Sequence, residues 1–255
     1  MAGLLQKGGH GVEVVCLQTE ADPMNPVKTA FDVNRLLARQ VRAALDDEKF
    51  PLVLAGNCNH CVGTIAGIQR ADLGVVWFDA HGNFNTPETS TSGYLDGMAL
   101  ALTAGDCWQG LLDTIPGFIP VAGNRMVHIG ARDLDAREVA RFSDCGASLV
   151  DPAALQALGV RRGLEPALRR LRRHTDRVYV HVDMDIVEPG EARSKAFAPD
   201  GGLTVAQVVA ALQAIGETFT IQAAAIAACD PDADRQGRAI SAGMTFAQAL
   251  APETG

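Results

Sequence analysis

Two short stretches hold the residues whose types and spacing could do chemistry: Trp77-Phe78-Asp79-Ala80-His81-Gly82-Asn83-Phe84-Asn85 and His181-Val182-Asp183-Met184-Asp185. Each follows an apolar, β-rich run, so its carboxylates fall where a strand should give way to a loop. Asp79 and His81 are two apart, as are Asp183 and Asp185, and on an extended backbone residues at that spacing leave the same face. Three carboxylates and an imidazole meeting at the ends of two neighbouring parallel strands make a metal site. Such an oxygen-rich set suits a hard to borderline divalent ion such as Mn²⁺ better than a thiophilic one. The plainer alternative is that an Asp at a strand end caps a helix or forms a turn. Two such pairs, each after its own apolar run, favour the metal.

The elements that must position these residues follow from hydrophobic periodicity. Strands are expected at Val12 to Leu17, Leu52 to Ala55, Val75 to Phe78, Met126 to Ile129, Ser148 to Val150, Val178 to Asp183 and Gln222 to Ala227. Helices are expected at Val27 to Asp46, His60 to Arg70, Leu134 to Phe142, Pro166 to His174, Val205 to Ile215 and Arg235 to Leu250. This alternation predicts an α/β fold, one doubly wound and mostly parallel sheet with helices on both faces, spanning residues 1–255 as a single domain. Ligands collect at the C-terminal strand ends of such sheets, and Asn57-Cys58, Asp79-x-His81, Asp183-x-Asp185 and Arg132-Asp133-Leu134-Asp135 would all lie there. The segment Thr86 to Gly97 has loop composition and would lie over the same edge.

Composition narrows the function classes. The chain has 255 residues, 47% apolar and 20% charged, with a formal net charge of −8 that disfavours a nucleic-acid partner. Six arginines between Arg161 and Arg173 are read as a solvated helix face, because no aromatic platform accompanies them. No apolar run reaches the length of a membrane span and no signal-peptide pattern is seen, so a cytoplasmic protein is expected. Of the six cysteines, those at 16 and 229 fall within apparent strands and are expected to be buried reduced thiols. Cys58-Asn59-His60-Cys61 has C-x-x-C spacing but lacks the second pair of a zinc knuckle.

In this order, these motifs resemble the arginase/agmatinase (ureohydrolase) superfamily, from about Val12 to near the C-terminus. Its Gly-Gly-Asp-His-Ser turn corresponds to Ala55-Gly56-Asn57-Cys58-Asn59, its Asp-Ala-His-x-Asp motif to Asp79 through Asn83, and its Asp-x-Asp-x-x-Asp-Pro motif to Asp183 through Pro189. The resemblance implies an arginase-like three-layer sandwich and hydrolysis of guanidino or amidino groups by a pair of Mn²⁺ ions. It makes Asp79 and Asp183 the residues shared between the ions, with His81 and Asp185 completing one ion's ligands. The other ion would use Cys58, where the family has His, and Asn83, where it has Asp. Asn offers a neutral oxygen in place of a carboxylate, and a thiolate favours softer ions. One firmly held Mn²⁺ and a second weak or absent ion are therefore expected, with Cys58 as a plain buried thiol the alternative. The resemblance also implies a strand ahead of Met1 to Leu17, central in the family's sheet; its absence here leaves two expectations, a truncated chain or a slot filled differently.

By the same resemblance, Asn85 and Ser92 would hold a substrate α-carboxylate, while Asp135 and Glu138 would read its α-amino group. The alternative is that these four only satisfy a loop and cap a helix. Asp96 stands where the family has its proton-shuttling His, and Ala228 where it has the Glu that grips the guanidinium. Losing that Glu removes a charge-assisted contact of about 2 kcal/mol. Plain arginine should then be a poor substrate, with Asp96 or Asp230 compensating for less basic N-hydroxylated, ureido or amidino analogues. The expected activity is a metal-dependent amidinohydrolase acting on a small arginine-like amino acid, in which a metal-activated water attacks and Asp96 relays the proton. The family implies a homo-oligomer, trimer or hexamer. The competing expectation is a pseudoenzyme that binds an amino acid or partner without turnover.

Overall fold

The computed structural model describes residues 1–20, 22–195 and 198–252. Six strands form one parallel sheet: β1 (Leu52–Ala55), β2 (Gly74–Phe78), β3 (Met126–Ile129), β4 (Ser148–Val150), β5 (Arg177–Asp183) and β6 (Thr220–Ala227). Their order is β1-β6-β5-β2-β3-β4, with every pair parallel. The helices are α1 (Ala2–Lys7), α2 (Pro26–Asp46), α3 (Cys61–Ile68), α4 (Ala99–Ala104), α5 (Gln109–Leu112), α6 (Ala136–Cys145), α7 (Pro152–Leu158), α8 (Val160–Arg172), α9 (Val205–Thr218) and α10 (Arg238–Leu250). The doubly wound α/β architecture expected from the sequence is the one observed.

Strand alternation sorts the side chains into two cores. Trp77, Tyr179, Ala223, Ala225 and Ala227 face α2, α3 and α4. Val76, Phe78, Val180, Val182, Ala224 and Ile226 face α8, α9 and α10. The register sets Trp77 beside His181 and Asp183 beside Ala227, so the β2 and β5 ends emerge side by side.

Several boundaries differ from expectation. Residues 12–17 form no strand, and Val14 and Val15 are exposed. Their apolar alternation has no ladder to join: β1 is the sheet's edge among the described residues, with Leu54 61% exposed. Cys16 is consequently exposed, and Cys229, just past β6, is only half-buried, against the burial expected of both. The helix expected from Pro166 begins at Val160 and carries Pro166 inside it. Burial of Leu164, Leu168 and Leu171 on one face outweighs the lost backbone hydrogen bond. Its arginines are paired outward, Arg161 with Glu217 and Arg169 with Glu165. No helix among the described residues is long and apolar enough to cross a membrane.

Candidate metal centre

The chain leaves the sheet at Asp79 and Asp183, and local backbone hydrogen bonding orients both carboxylates. Asp79 Oδ1 accepts from the His81 N–H at 2.8 Å, and Asp183 Oδ1 from the Asp185 N–H at 2.9 Å. Asp185 lies in a 3₁₀ turn, not on an extended strand, so the pleat does not explain its direction. It reaches across the strand ends, where its Oδ1 accepts from the Ala80 N–H at 3.0 Å. Each carboxylate thus spends one oxygen on the backbone and turns the other inward. All three side chains are fully buried, or within 1% of it.

Each inward oxygen already has two donors. Asp79 Oδ2 accepts from Trp77 Nε1 at 3.1 Å and from the Asn83 side-chain amide. Asp183 Oδ2 accepts from Cys58 Sγ at 2.9 Å and Lys195 Nζ at 2.7 Å. Asp185 Oδ2 accepts from His81 Nδ1 at 3.0 Å and Lys195 Nζ at 3.0 Å. Below this layer the Trp77 and His181 rings stack with centroids 3.7 Å apart, and Tyr179 Oη lies 2.8 Å from His181 Nδ1. Burial pushes the His181 and His128 pKa values down to about 3, so both rings are neutral at pH 7. Neutral His128 donates from Nε2 to the His81 carbonyl at 2.9 Å, bracing the loop.

The charges answer one another. Hydrogen bonds to Asp185 and then Asp79 raise the His81 pKa to about 10, against its burial. Burial opposes ionisation of Asp185, yet the His81 hydrogen bond and the Lys195 charge hold it below the usual carboxylate range. Burial, and then the charges of Asp185 and Asp79, push Asp183 well up. Burial likewise opposes the Lys195 charge, but Asp183 and Asp185 outweigh it and hold the ammonium. Burial, followed by the charges of Asp183 and Asp79, pushes the Cys58 thiol well above its ordinary value. Cys58 lies as a thiol donor against Asp183.

Two sets of donor atoms lie close enough to share an ion: Asp79, His81 and Asp185, and Cys58, Asp79 and Asp183. The first fits a divalent ion, since two carboxylate oxygens and a ring nitrogen already converge there. The second fits poorly. Its sulfur is spent as a donor to Asp183, the Asn83 amide donates to Asp79 where a coordinating oxygen would be needed, and Lys195 already sits on Asp183. Sequence reasoning missed Lys195 and Trp77; the one available signal for the former is that it is the only lysine after Lys49.

The other expected residues line a cavity of about 640 Å³ that also includes Cys58, His81 and Asp183: Asn85, Ser92, Asp96, Asp135 and Glu138, together with Ala228 and Asp230. Asp135 and Glu138 also form the capping box of α6. Asp135 Oδ1 accepts from the Arg137 and Glu138 N–H groups at 2.8 and 2.9 Å, and Glu138 Oε2 accepts from the Asp135 N–H at 3.2 Å. Glu138 Oε1 reaches the Phe84 N–H at 3.0 Å, a path open because residue 82 is glycine: a Cβ there would lie 2.7 Å from that oxygen. Asn85 Nδ2 donates to Asp135 Oδ2 at 3.0 Å. Ser92 Oγ accepts from the Tyr94 N–H at 3.2 Å. Asp96 Oδ1 accepts from the Asn59 backbone N–H at 3.1 Å and side-chain Nδ2 at 2.5 Å, which ties the Cys58 turn to the cavity wall.

Comparison with known proteins finds one family over nearly the whole chain. A family model described as the arginase family covers residues 10–251. Arginase of Bacillus caldovelox is 31% identical over 227 residues, 88% of this chain and 76% of that protein. Arginase of Bacillus subtilis superposes with a TM-score of 0.91 at 27% identity, covering 99% of this chain and 88% of that one. For arginase of Bacillus cereus the TM-score is 0.82 at 30% identity, over 89% and 79% of the two chains. The fold, the paired aspartates at the β2 and β5 ends and these matches agree: the chain belongs to the arginase family.

Proposed function

We propose that this protein is a metal-dependent amidinohydrolase that cleaves the C–N bond of an arginine-like amino acid. The observation that carries the reading is the convergence of Asp79, His81 and Asp185, each carboxylate oriented by a backbone N–H on one oxygen. A divalent ion such as Mn²⁺ held there lowers the pKa of a water to about 7, supplying hydroxide at neutral pH. Asn85 and Ser92 would receive the substrate's α-carboxylate and Asp135 and Glu138 its α-amino group, presenting the amidino carbon to the floor of the cavity. Asp96, tied to the cavity wall by its two bonds from Asn59, would relay the proton to the leaving amine. Ala228 supplies no carboxylate to a cationic guanidinium. The favoured substrate is therefore a less basic one, such as an N-hydroxylated arginine or a ureido analogue.

A second reading, a fold that binds an amino acid without turnover, is favoured by one observation: all three inward oxygens are satisfied by the protein's own donors. A panel of guanidino and ureido amino acids incubated with Mn²⁺-loaded protein separates the two. Release of urea or a urea derivative, abolished by chelation and slower for arginine than for its less basic analogues, is the expected result. Protein with Mn²⁺ bound that releases no product from any of them sinks the enzymatic reading. We further propose that the chain is one domain working as a homo-oligomer in the cytoplasm, the trimer or hexamer to be distinguished by sedimentation.

A further inference from the structure

Lys195 has no counterpart among the ligand motifs, yet its ammonium occupies the middle of the centre. It is delivered by a fixed segment. Ala192 and Ser194 are buried, the Ala192 N–H donates to the Glu188 carbonyl at 3.1 Å, and the Asp230 N–H donates to the Ser194 carbonyl at 2.9 Å. From there Nζ spans Asp183 Oδ2 at 2.7 Å and Asp185 Oδ2 at 3.0 Å. A small divalent ion bound to the same two oxygens would stand about 2.0–2.2 Å from each, so ion and ammonium exclude one another. Asp183 is also the carboxylate that Cys58 touches, on the side where the motifs would seat a second ion.

We propose that the Lys195 ammonium is a built-in cation of this centre that holds Asp183, the carboxylate two ions would share, so that no second divalent ion is seated beside Cys58 and one exchangeable ion position remains at Asp79, His81 and Asp185. The inference rests on the reading that the centre holds a divalent ion. It accounts together for two substitutions that otherwise look unrelated. With a single positive charge in place of two, hydrogen-bond donors at Cys58 and Asn83 are the matching partners, since a further carboxylate beside Asp79 would be left without a counter-charge. It also bears on the substrate. Lys195 lines the cavity, and a cation there repels a guanidinium, adding to the missing carboxylate at Ala228 in selecting an uncharged ureido or weakly basic amidino group.

The test is Mn²⁺ binding to the full chain after chelator treatment, read by calorimetry and metal content beside thermal unfolding in EDTA. Wild-type protein should take one ion. Lys195→Met should take a second ion, or bind the first on the order of tenfold tighter or more, because a competing charge a few ångströms away is gone. Its melting temperature in EDTA should fall and return with Mn²⁺, while Lys195→Arg, which keeps the charge, should stay at one ion. Two ions of similar affinity in wild type, with turnover, would overturn the role of the lysine and leave the enzymatic reading standing. A Lys195→Met protein unchanged in both metal binding and EDTA melting would overturn it as well. One ion in wild type and two in Lys195→Met, with no turnover of any guanidino or ureido amino acid, would uphold the lysine and sink the enzymatic reading alone. No ion in either protein overturns both.

Discussion

At the β2 end, Asp79 and His81 stand beside Asp185 as a set that an ion could enter by displacing one proton, the one on His81. At the β5 end, a few ångströms away, Asp183 is enclosed by a thiol and an ammonium, and the donors that would complete an ion's shell are hydrogen-bond donors themselves. Both halves grow from adjacent parallel strand ends, so the fold alone does not decide how many ions are held. The difference lies in who supplies the positive charge: an exchangeable ion on one side, a side chain of the protein on the other.

The largest effect should come from removing the carboxylate that pairs with both His81 and Lys195. Asp185→Ala leaves His81 and Lys195 without their buried partner, and denaturant unfolding in EDTA should show a loss of about 3–5 kcal/mol together with abolished Mn²⁺ uptake. Uptake that survives would place the ion elsewhere. Next, Cys58→His combined with Asn83→Asp rebuilds the family's ligands on the altered side. It should destabilise the metal-free protein by about 2 kcal/mol, since a carboxylate replaces a donor to Asp79, and recover with Mn²⁺. Adding Lys195→Met should raise the ion count further, and a double variant that binds no more Mn²⁺ than wild type would mean that the motif match at that turn is misplaced.

Trp77→Phe tests the intact side more gently. The stacking surface against His181 is kept and the Nε1 donor to Asp79 is lost, for an expected cost of about 1.5 kcal/mol. A change within error would show that this hydrogen bond contributes nothing to the floor of the site. The smallest effect concerns the rim. Asp135→Ala removes the α6 N-cap for about 1 kcal/mol, whereas Asp135→Asn, an equally good cap, should leave stability unchanged and weaken only the binding of an α-amino substrate. Equal losses of binding and stability in both variants would make Asp135 purely structural. Hydrogen bonds from the Glu138 N–H and then Asn85 lower the Asp135 pKa. Its folded value thus lies below the unfolded one, and its contribution is present above about pH 4 and fades as pH falls further, a trend that Asp135→Asn should remove.

Much of the architecture was legible from periodicity. The strands β1 to β5 and the helices α2 and α9 announce themselves by short apolar runs or by a 3.6-residue pattern, most clearly in β2, β3 and β5, which are buried on both faces. Residues 12–17 show where this fails: alternation records a preference for a half-buried ladder, and no ladder is available beside them. Pro166 shows the opposite error, a local breaker overridden by three leucines packing on one face. In the site, Asp79, His81, Asp183 and Asp185 were legible because their spacing and their position after strands are local facts.

The sequence by itself determined the sheet, the strand ends and the identity of the aspartates and histidine placed there, all properties written within a few consecutive residues. Only the tertiary structure decided that Asp185 turns across to Ala80, that Asp135 and Glu138 close a capping box under the rim, and that Lys195 lands between two aspartates. A lysine in a loop carries no periodic signal. Its charge acquires a role only when distant backbone brings it within about 3 Å of buried carboxylates, where little water remains to screen it.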